Sequence, residues 1–152
     1  LVNEETLGAA GSAEVAVAAR GATSFVARDN EPSAGVQLVL DRGGPPWSLS
    51  PLESDLAVSD QPASTWAGDR SVTVYRDLRS AQPQLRVSTR DINNAALALD
   101  ETLVAPGDAV AAPTVAWSGR RALVLFRAGP SSELRYTLLT PELGKLIRPI
   151  RL

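Results

Sequence analysis

The sequence of 152 residues contains no Cys and no His. Their absence excludes, within this chain, a thiol nucleophile, a Ser-His-Asp triad and any metal site with thiolate or imidazole ligands. A calcium site made only of carboxylates would remain, but the sequence has no Asp-x-Asp-x-Asp loop. We therefore expect no metal and no cofactor. Without Cys, the sequence also gives no evidence of the redox compartment.

The sequence also lacks Met, and it has no apolar run near the roughly 20 residues that cross a bilayer. The lack of an initiator Met predicts that the chain is a processed or excised piece of a longer protein. Its first residues, Leu1-Val2-Asn3-Glu4-Glu5, do not resemble a signal peptide. We expect no membrane insertion.

The sequence also has little excess of one charge sign, since the net charge is only -2. Charged residues make up 21% of the chain. The basic residues are Arg apart from Lys145, and they are scattered and form no run. We therefore expect no nucleic-acid partner. The hydrophobic content of 44% is sufficient for an ordinary globular core.

One sequence pattern occurs three times: small residues, an aromatic position, a short turn with Gly, an alternating apolar run and a closing Arg. The clearest copy spans 113–127, the next spans 63–76, and the weakest spans 15–28. The aromatic position is 10 residues before the closing Arg in each copy, and successive aromatic positions are 48 and 51 residues apart. Fixed periods in this range are typical of propeller blades or solenoids. The aromatic positions hold Ala18, Trp66 and Trp117, and the closing residues are Arg28, Arg76 and Arg127.

Runs of strand length decide between these architectures. Each copy contains three short apolar or alternating runs separated by Gly, Pro, Asn or Asp, and none has the 3.6-residue spacing of a helix. A weaker fourth run follows each triplet. We therefore predict an all-β fold, a portion of a β-propeller with about three four-stranded antiparallel blades. A two-sheet β-sandwich is the alternative, because about a dozen short strands would also fit that fold.

The predicted blades span residues 12–58, 59–107 and 108–152. Glu5-Thr6-Leu7 recurs as Glu101-Thr102-Leu103, so residues 1–11 are expected to be the end of a preceding blade. Three blades cannot close a ring, since propellers have at least about four. We therefore expect further propeller blades from another chain or another copy as partners, and two copies would make six. The type of fold and the apparent processing predict an extracellular or periplasmic location.

The segment Val39–Ser48 follows the third strand of the first predicted blade and ends in Gly43-Gly44-Pro45-Pro46-Trp47-Ser48. It resembles the Asp box of sialidase-type propellers, a Ser-x-Asp-x-Gly-x-Thr-Trp turn between the third and fourth strands of a blade. When Gly44 and Trp47 are aligned with the box, Arg42 takes the Asp position. In that family the box is a structural turn remote from the active site, so the resemblance implies the fold and not catalysis. Arg28-Asp29 and Arg76-Asp77, just after the second strands, also resemble such blades.

The resemblance implies what a working sialidase needs: three Arg that hold a carboxylate, a Tyr nucleophile with a Glu partner, and an Asp acid. We predict no catalytic residue, because Tyr75 and Tyr136 fall on predicted strands and not in a nucleophile motif. Trp47 is expected to be exposed in a Pro-flanked turn, whereas Trp66 and Trp117 are expected to pack between blades. The predicted binding residues are Arg28, Asp29, Arg76, Asp77, Arg127 and Trp47.

These features favour a non-catalytic binding or scaffolding portion of a larger β-propeller, which recognises a glycan or a protein through loops on one rim. The alternative is a part of a sialidase-like glycoside hydrolase that is completed by blades absent from this chain. Several Asp and Glu residues lie in predicted turns, but the sequence does not pair any two of them as a glycosidase requires.

Overall fold

The computed structural model describes residues 15–20, 23–29, 36–41, 48–51, 59–93, 95–104, 110–140, 142 and 150–152, and side chains within these ranges from residue 59 onward except 99, 100 and 104. The described residues form three four-stranded antiparallel sheets. In chain order their strands are β1 Val15–Arg20, β2 Thr23–Asp29, β3 Val36–Asp41, β4 Ser48–Pro51, β5 Ser59–Ala67, β6 Arg70–Asp77, β7 Gln84–Asp91, β8 Ala96–Val104, β9 Ala111–Trp117, β10 Ala122–Ala128, β11 Glu133–Leu139 and β12 Ile150–Arg151.

Each sheet is a meander in which consecutive strands pair, so β1 to β4 form the first sheet, β5 to β8 the second and β9 to β12 the third. The first strands lie side by side, because β5 contacts both β1 and β9. The later strands of each sheet follow in chain order, which is the arrangement of propeller blades. The predicted fold class is confirmed: the chain is all-β and forms a portion of a β-propeller. A sandwich would have two sheets.

Two tight turns give the second and third sheets a common reference point. Gly68 opens the β5–β6 turn with φ of 69°, and the ladder below it closes at the pair Ala67↔Arg70. Gly119 opens the β9–β10 turn with φ of 88°. A positive φ at the first central residue of a two-residue hairpin is the position for which Gly is suited. Residues at equal distances after Gly68 and Gly119 are therefore equivalent.

The strand register corrects the alignment of the weakest repeat copy. Trp66 pairs with Ser71, five residues later, and the third sheet has the same spacing. Ala18 instead pairs with Phe25, seven residues later, and the pair five residues apart is Ala19↔Ser24. The position equivalent to Arg76 and Arg127 is therefore occupied by Asp29 and not by Arg28. The three closing Arg residues do not form one equivalent set.

The described core lies between the second and third sheets. Val72 and Val74 of β6 and Val124 and Phe126 of β10 are almost completely buried, and Trp117 packs against this cluster. Burial of each large apolar side chain stabilises the fold by about 1.5–3 kcal/mol. The other members of the cluster are Ala67, Leu85, Val87, Leu103, Val110, Ala122, Ala128 and Leu139.

Some predictions fall on residues that are not described. The expected end of a preceding blade, residues 1–11, lies outside the described residues, and so do residues 42–47, which belong to the segment that resembles an Asp box and include Trp47. Within the described part of the chain, no helix has the length and apolar character needed to cross a membrane.

Candidate functional site

An open depression of about 580 Å³ lies beside the β9–β10 turn. We call it the turn depression, and its lining residues are Ser118, Arg120, Arg121 and Thr140. Ser118, Arg120 and Arg121 are exposed, and Thr140, which follows β11, is half-buried. The depression is therefore lined by two exposed Arg residues and two residues that carry a hydroxyl group.

Hydrogen bonds within the turn hold these residues in place. The backbone N–H of Ser118 donates to the carbonyl of Arg121 at 3.0 Å. The hydroxyl of Ser118 donates to the same carbonyl at 3.0 Å, and it accepts from the backbone N–H of Arg121 at 3.2 Å. Such side chain to backbone bonds stabilise turns locally. The turn thus fixes the backbone from which Arg120 and Arg121 project.

Neither Arg120 nor Arg121 forms an ion pair with a carboxylate of the described residues. The equivalent turn of the second sheet differs, because Asp69 occupies the position of Arg120. There the Nε of Arg70 lies 3.4 Å from Oδ1 of Asp69. The turn of the second sheet thus neutralises its own Arg, whereas the turn of the third sheet carries two adjacent cations. Paired guanidinium groups suit a carboxylate or another planar oxyanion, which they can bind with two parallel N–H donors.

The predicted binding residues lie elsewhere. Arg76, near the end of β6, pairs with Asp60 of β5: its Nε donates to Oδ1 at 2.6 Å, and its Nη2 donates to Oδ2. Arg127, near the end of β10, is exposed, and its Nη1 donates to the carbonyl of Ser132 at 3.4 Å. Because a strand rises about 3.3 Å per residue, Arg127 is about 20 Å along β10 from Arg121. Arg127 therefore lies at the opposite end of the third sheet from the turn depression.

Asp77 is completely buried and is the centre of a charged cluster. Its carboxylate forms ion pairs with Arg79 and Arg86, each at 2.7 Å, and it accepts a hydrogen bond from Nε2 of Gln84 at 2.9 Å. The backbone N–H of Arg79 also donates to Oδ1 at 2.8 Å. Burial alone would raise the pKa of Asp77, but the hydrogen bonds and charge of Arg79, together with the charge of Arg86, hold it below its usual value. The geometry favours a structural role for this carboxylate.

The remaining predicted residues have no side-chain description. Arg28 and Asp29 are the last two residues of β2, opposite Gln37 and Val36 of β3, and only their backbone is described. The structure thus brings Arg76 and Asp77 to one end of the second sheet, and a binding role for the six predicted residues stays a prediction. Arg120 and Arg121 were not among them, although their signal was available: adjacent Arg residues directly after the turn Gly. The prediction followed the repeated closing Arg instead.

The described carboxylates near Arg residues are already engaged. Asp60 and Asp77 form the pairs given above, and Glu133 lies 3.0 Å from Nη1 of Arg151 and 3.5 Å from Nη2 of Arg135. Among the residues that the structure describes, no group of three or more Asp or Glu is placed to hold a metal ion. The turn depression therefore brings together two exposed guanidinium groups that no described carboxylate pairs, and these suit an anionic ligand.

Comparisons with known proteins bear on the fold. No protein-family model and no curated protein sequence matches the chain. The fold is similar to the crystal structure of xylan β-1,4-xylosidase from Bacillus halodurans C-125, with a TM-score of 0.64 and 10% sequence identity. The similarity covers 91% of this chain and 31% of the xylosidase chain. This chain thus matches less than a third of that protein, and at this identity the likeness shows the fold alone.

Proposed function

We propose that this chain is a non-catalytic, ligand-binding portion of a larger β-propeller and that it binds an acidic glycan in the turn depression. The observation that carries the proposal is the pair Arg120 and Arg121, which no described carboxylate neutralises. Both residues are exposed and line the same depression, so a ligand anion bound there can contact both guanidinium groups.

The polar groups of the depression match a carboxylate-bearing sugar. A guanidinium group binds a carboxylate through two parallel hydrogen bonds, and the hydroxyl of Thr140, beside the two Arg residues, suits the hydroxyl groups of a sugar ring. The depression is open, so the end or the side of a glycan chain can enter it. The fold neighbour is named for action on xylan, a polysaccharide, and this supports a carbohydrate ligand over a peptide.

The test is a calorimetric titration of the protein with an oligogalacturonate, which measures the dissociation constant. We expect Arg120→Gln and Arg121→Gln each to weaken binding about 10-fold to 100-fold, because a charge-assisted hydrogen bond contributes about 1.5–3 kcal/mol. Arg127→Gln is the matched control, since it removes an exposed Arg near the end of β10 that lies far from the β9–β10 turn. Its affinity should equal that of the wild type.

Two results would contradict the proposal. Equal binding of a neutral xylo-oligosaccharide would show that the guanidinium groups do not select the ligand. A loss of affinity in Arg127→Gln, with none in Arg120→Gln or Arg121→Gln, would instead favour the rim that carries the predicted residues Arg76 and Arg127.

The second candidate is a part of a glycoside hydrolase completed by further blades. The similarity to a xylosidase over most of this chain is the observation that favours it. The engaged state of Asp60, Asp77 and Glu133 disfavours these residues as its acid and base. Release of the fluorophore from aryl xylosides and sialosides by the complete protein would support hydrolysis, and binding without release would support the first candidate.

A further inference from the structure

The third sheet has an apolar face that points away from the core. Its centre is formed by Leu123 and Leu125 of β10 with their partners Leu138 and Tyr136 of β11. These residues alternate along the strands with Ala122, Val124 and Phe126, which are buried against the second sheet. We call this surface the outer face. Leu134 and Ile150 lie at its margin and are 44% and 45% exposed.

The outer face has a covered counterpart within the same chain. Leu123 and Leu125 follow Gly119 by four and six residues, and Val72 and Val74 follow Gly68 by the same distances. Val72 and Val74 form the face of the second sheet on which the third sheet packs. The outer face therefore repeats, position for position, a surface that the fold covers with another sheet. The described residues contain no fourth sheet to cover it.

We infer that a second copy of this chain covers the outer face, with its first sheet packed there as the third sheet packs on the second. The interface would continue the stacking already present between the second and third sheets. The described residues of one copy form three sheets, whereas propellers close with about four to eight blades. Two copies joined head to tail would give six sheets about a twofold axis, with two identical junctions.

The surface buried between two such copies would be large enough for a stable interface. Strands of seven residues at about 3.4 Å per residue, spaced about 4.8 Å apart, give each face about 340 Å² over three strands. Two junctions, each formed by two such faces, would bury about 1,400 Å². This value falls within the range of about 1,200–2,000 Å² for stable interfaces.

The test is the mass of the chain in solution, measured by light scattering over a hundredfold range of concentration. We expect twice the 16.0 kDa of one chain. Leu125→Arg and Leu134→Arg should each raise the dissociation constant at least about tenfold, because an unpaired guanidinium group would be buried in an apolar interface. Leu134 is exposed, so its variant keeps the test valid if Leu125→Arg fails to fold. Leu97→Arg is the matched control, since Leu97 is an exposed Leu on β8 of the second sheet.

A disulfide experiment can distinguish a head-to-tail dimer from a dimer in which the two outer faces contact each other. The chain has no Cys, so a single Leu134→Cys variant can form a disulfide only between copies. Such a bond should not form in a head-to-tail pair under mild oxidation, since the two outer faces lie in different junctions. Efficient formation of that bond, a wild-type chain that stays at 16.0 kDa at every concentration, or a loss of association in Leu97→Arg equal to that in Leu134→Arg would each overturn the inference.

Discussion

The second and third sheets share their strand order and turn, but the faces formed by equivalent residues differ in chemistry. On β6, the face directed away from the third sheet is polar, whereas the equivalent face of β10 is apolar and packs on the second sheet. Each residue of this polar face of β6 has an apolar counterpart on β10. The equivalent pairs are Ser71 and Ala122, Thr73 and Val124, Tyr75 and Phe126, and Asp77 and Ala128.

Hydrogen bonds explain how the polar face is tolerated. The hydroxyls of Ser64 and Thr73 lie 2.8 Å apart, and those of Tyr75 and Ser88 lie 3.3 Å apart. The hydroxyl of Ser71 donates to the carbonyl of Arg90 at 3.4 Å. Burial of a polar group costs little when it is hydrogen-bonded and about 1–3 kcal/mol when it is not. Equivalent buried positions of the two sheets can therefore hold either a polar or an apolar side chain, but a polar side chain needs a hydrogen-bond partner.

The largest effect should come from the apolar face. Phe126→Ala should lower the free energy of unfolding by about 3–5 kcal/mol, because it leaves a cavity where a fully buried ring packs between two sheets. Urea unfolding followed by circular dichroism measures this loss. Leu97→Ala, at an exposed Leu on β8, is the control and should change the stability by less than about 0.5 kcal/mol. A loss below about 1 kcal/mol for Phe126→Ala would show that the two sheets are not packed as described.

The second largest effect is expected from a substitution in the charged cluster around Asp77, on the polar face. Asp77→Ala should cost about 2–3 kcal/mol of unfolding free energy, because it removes the shared acceptor of Arg79, Arg86 and Gln84. Asp69→Ala removes an exposed carboxylate from a turn pair, and its effect should stay within about 0.5 kcal/mol. Equal losses of unfolding free energy in the two variants would mean that the buried ion pairs of Asp77 stabilise the fold no more than the exposed pair of Asp69.

The same cluster predicts a dependence on pH that the apolar face lacks. The pKa of Asp77 is lower in the folded chain than its ordinary value, so its stabilising contribution is present above the unfolded pKa of about 4 and is lost as pH falls through the folded pKa. The stability difference between wild type and Asp77→Asn should therefore narrow below pH 4. Urea midpoints measured from pH 7 to pH 2 provide the check. A difference that widens on acidification would contradict the direction of the pKa shift.

The smallest effect is expected where a single hydroxyl distinguishes the two faces. Tyr75→Phe gives the second sheet the ring that the third sheet has, and it removes the hydrogen bond to Ser88. We expect a loss of about 1 kcal/mol in unfolding free energy. Tyr136→Phe, on the half-buried outer face, should have a smaller effect. A gain in stability from Tyr75→Phe would indicate that the polar face costs more than its hydrogen bonds return.

The strand pattern could be predicted because its causes are local. Alternation of Val72, Thr73 and Val74 marks a strand with two different faces, and Gly68 and Gly119 mark turns that need a positive φ. The alignment of Ala18 with Trp66 failed because the spacing to a closing Arg does not report which residues pair across a hairpin. Asp77 was expected on a rim and is buried, since its burial depends on Arg79, Arg86 and the sheets around it.

By itself, the sequence determined an all-β chain of short, turn-separated strands in three units, because side-chain alternation and Gly act over a few neighbouring residues. Only the tertiary structure decided which face of each strand is covered, that Asp77 lies inside an Arg cluster, and that Arg120 and Arg121 share a depression with Thr140. Those outcomes depend on contacts between residues far apart in the chain. No local pattern encodes which sheet will stack on which.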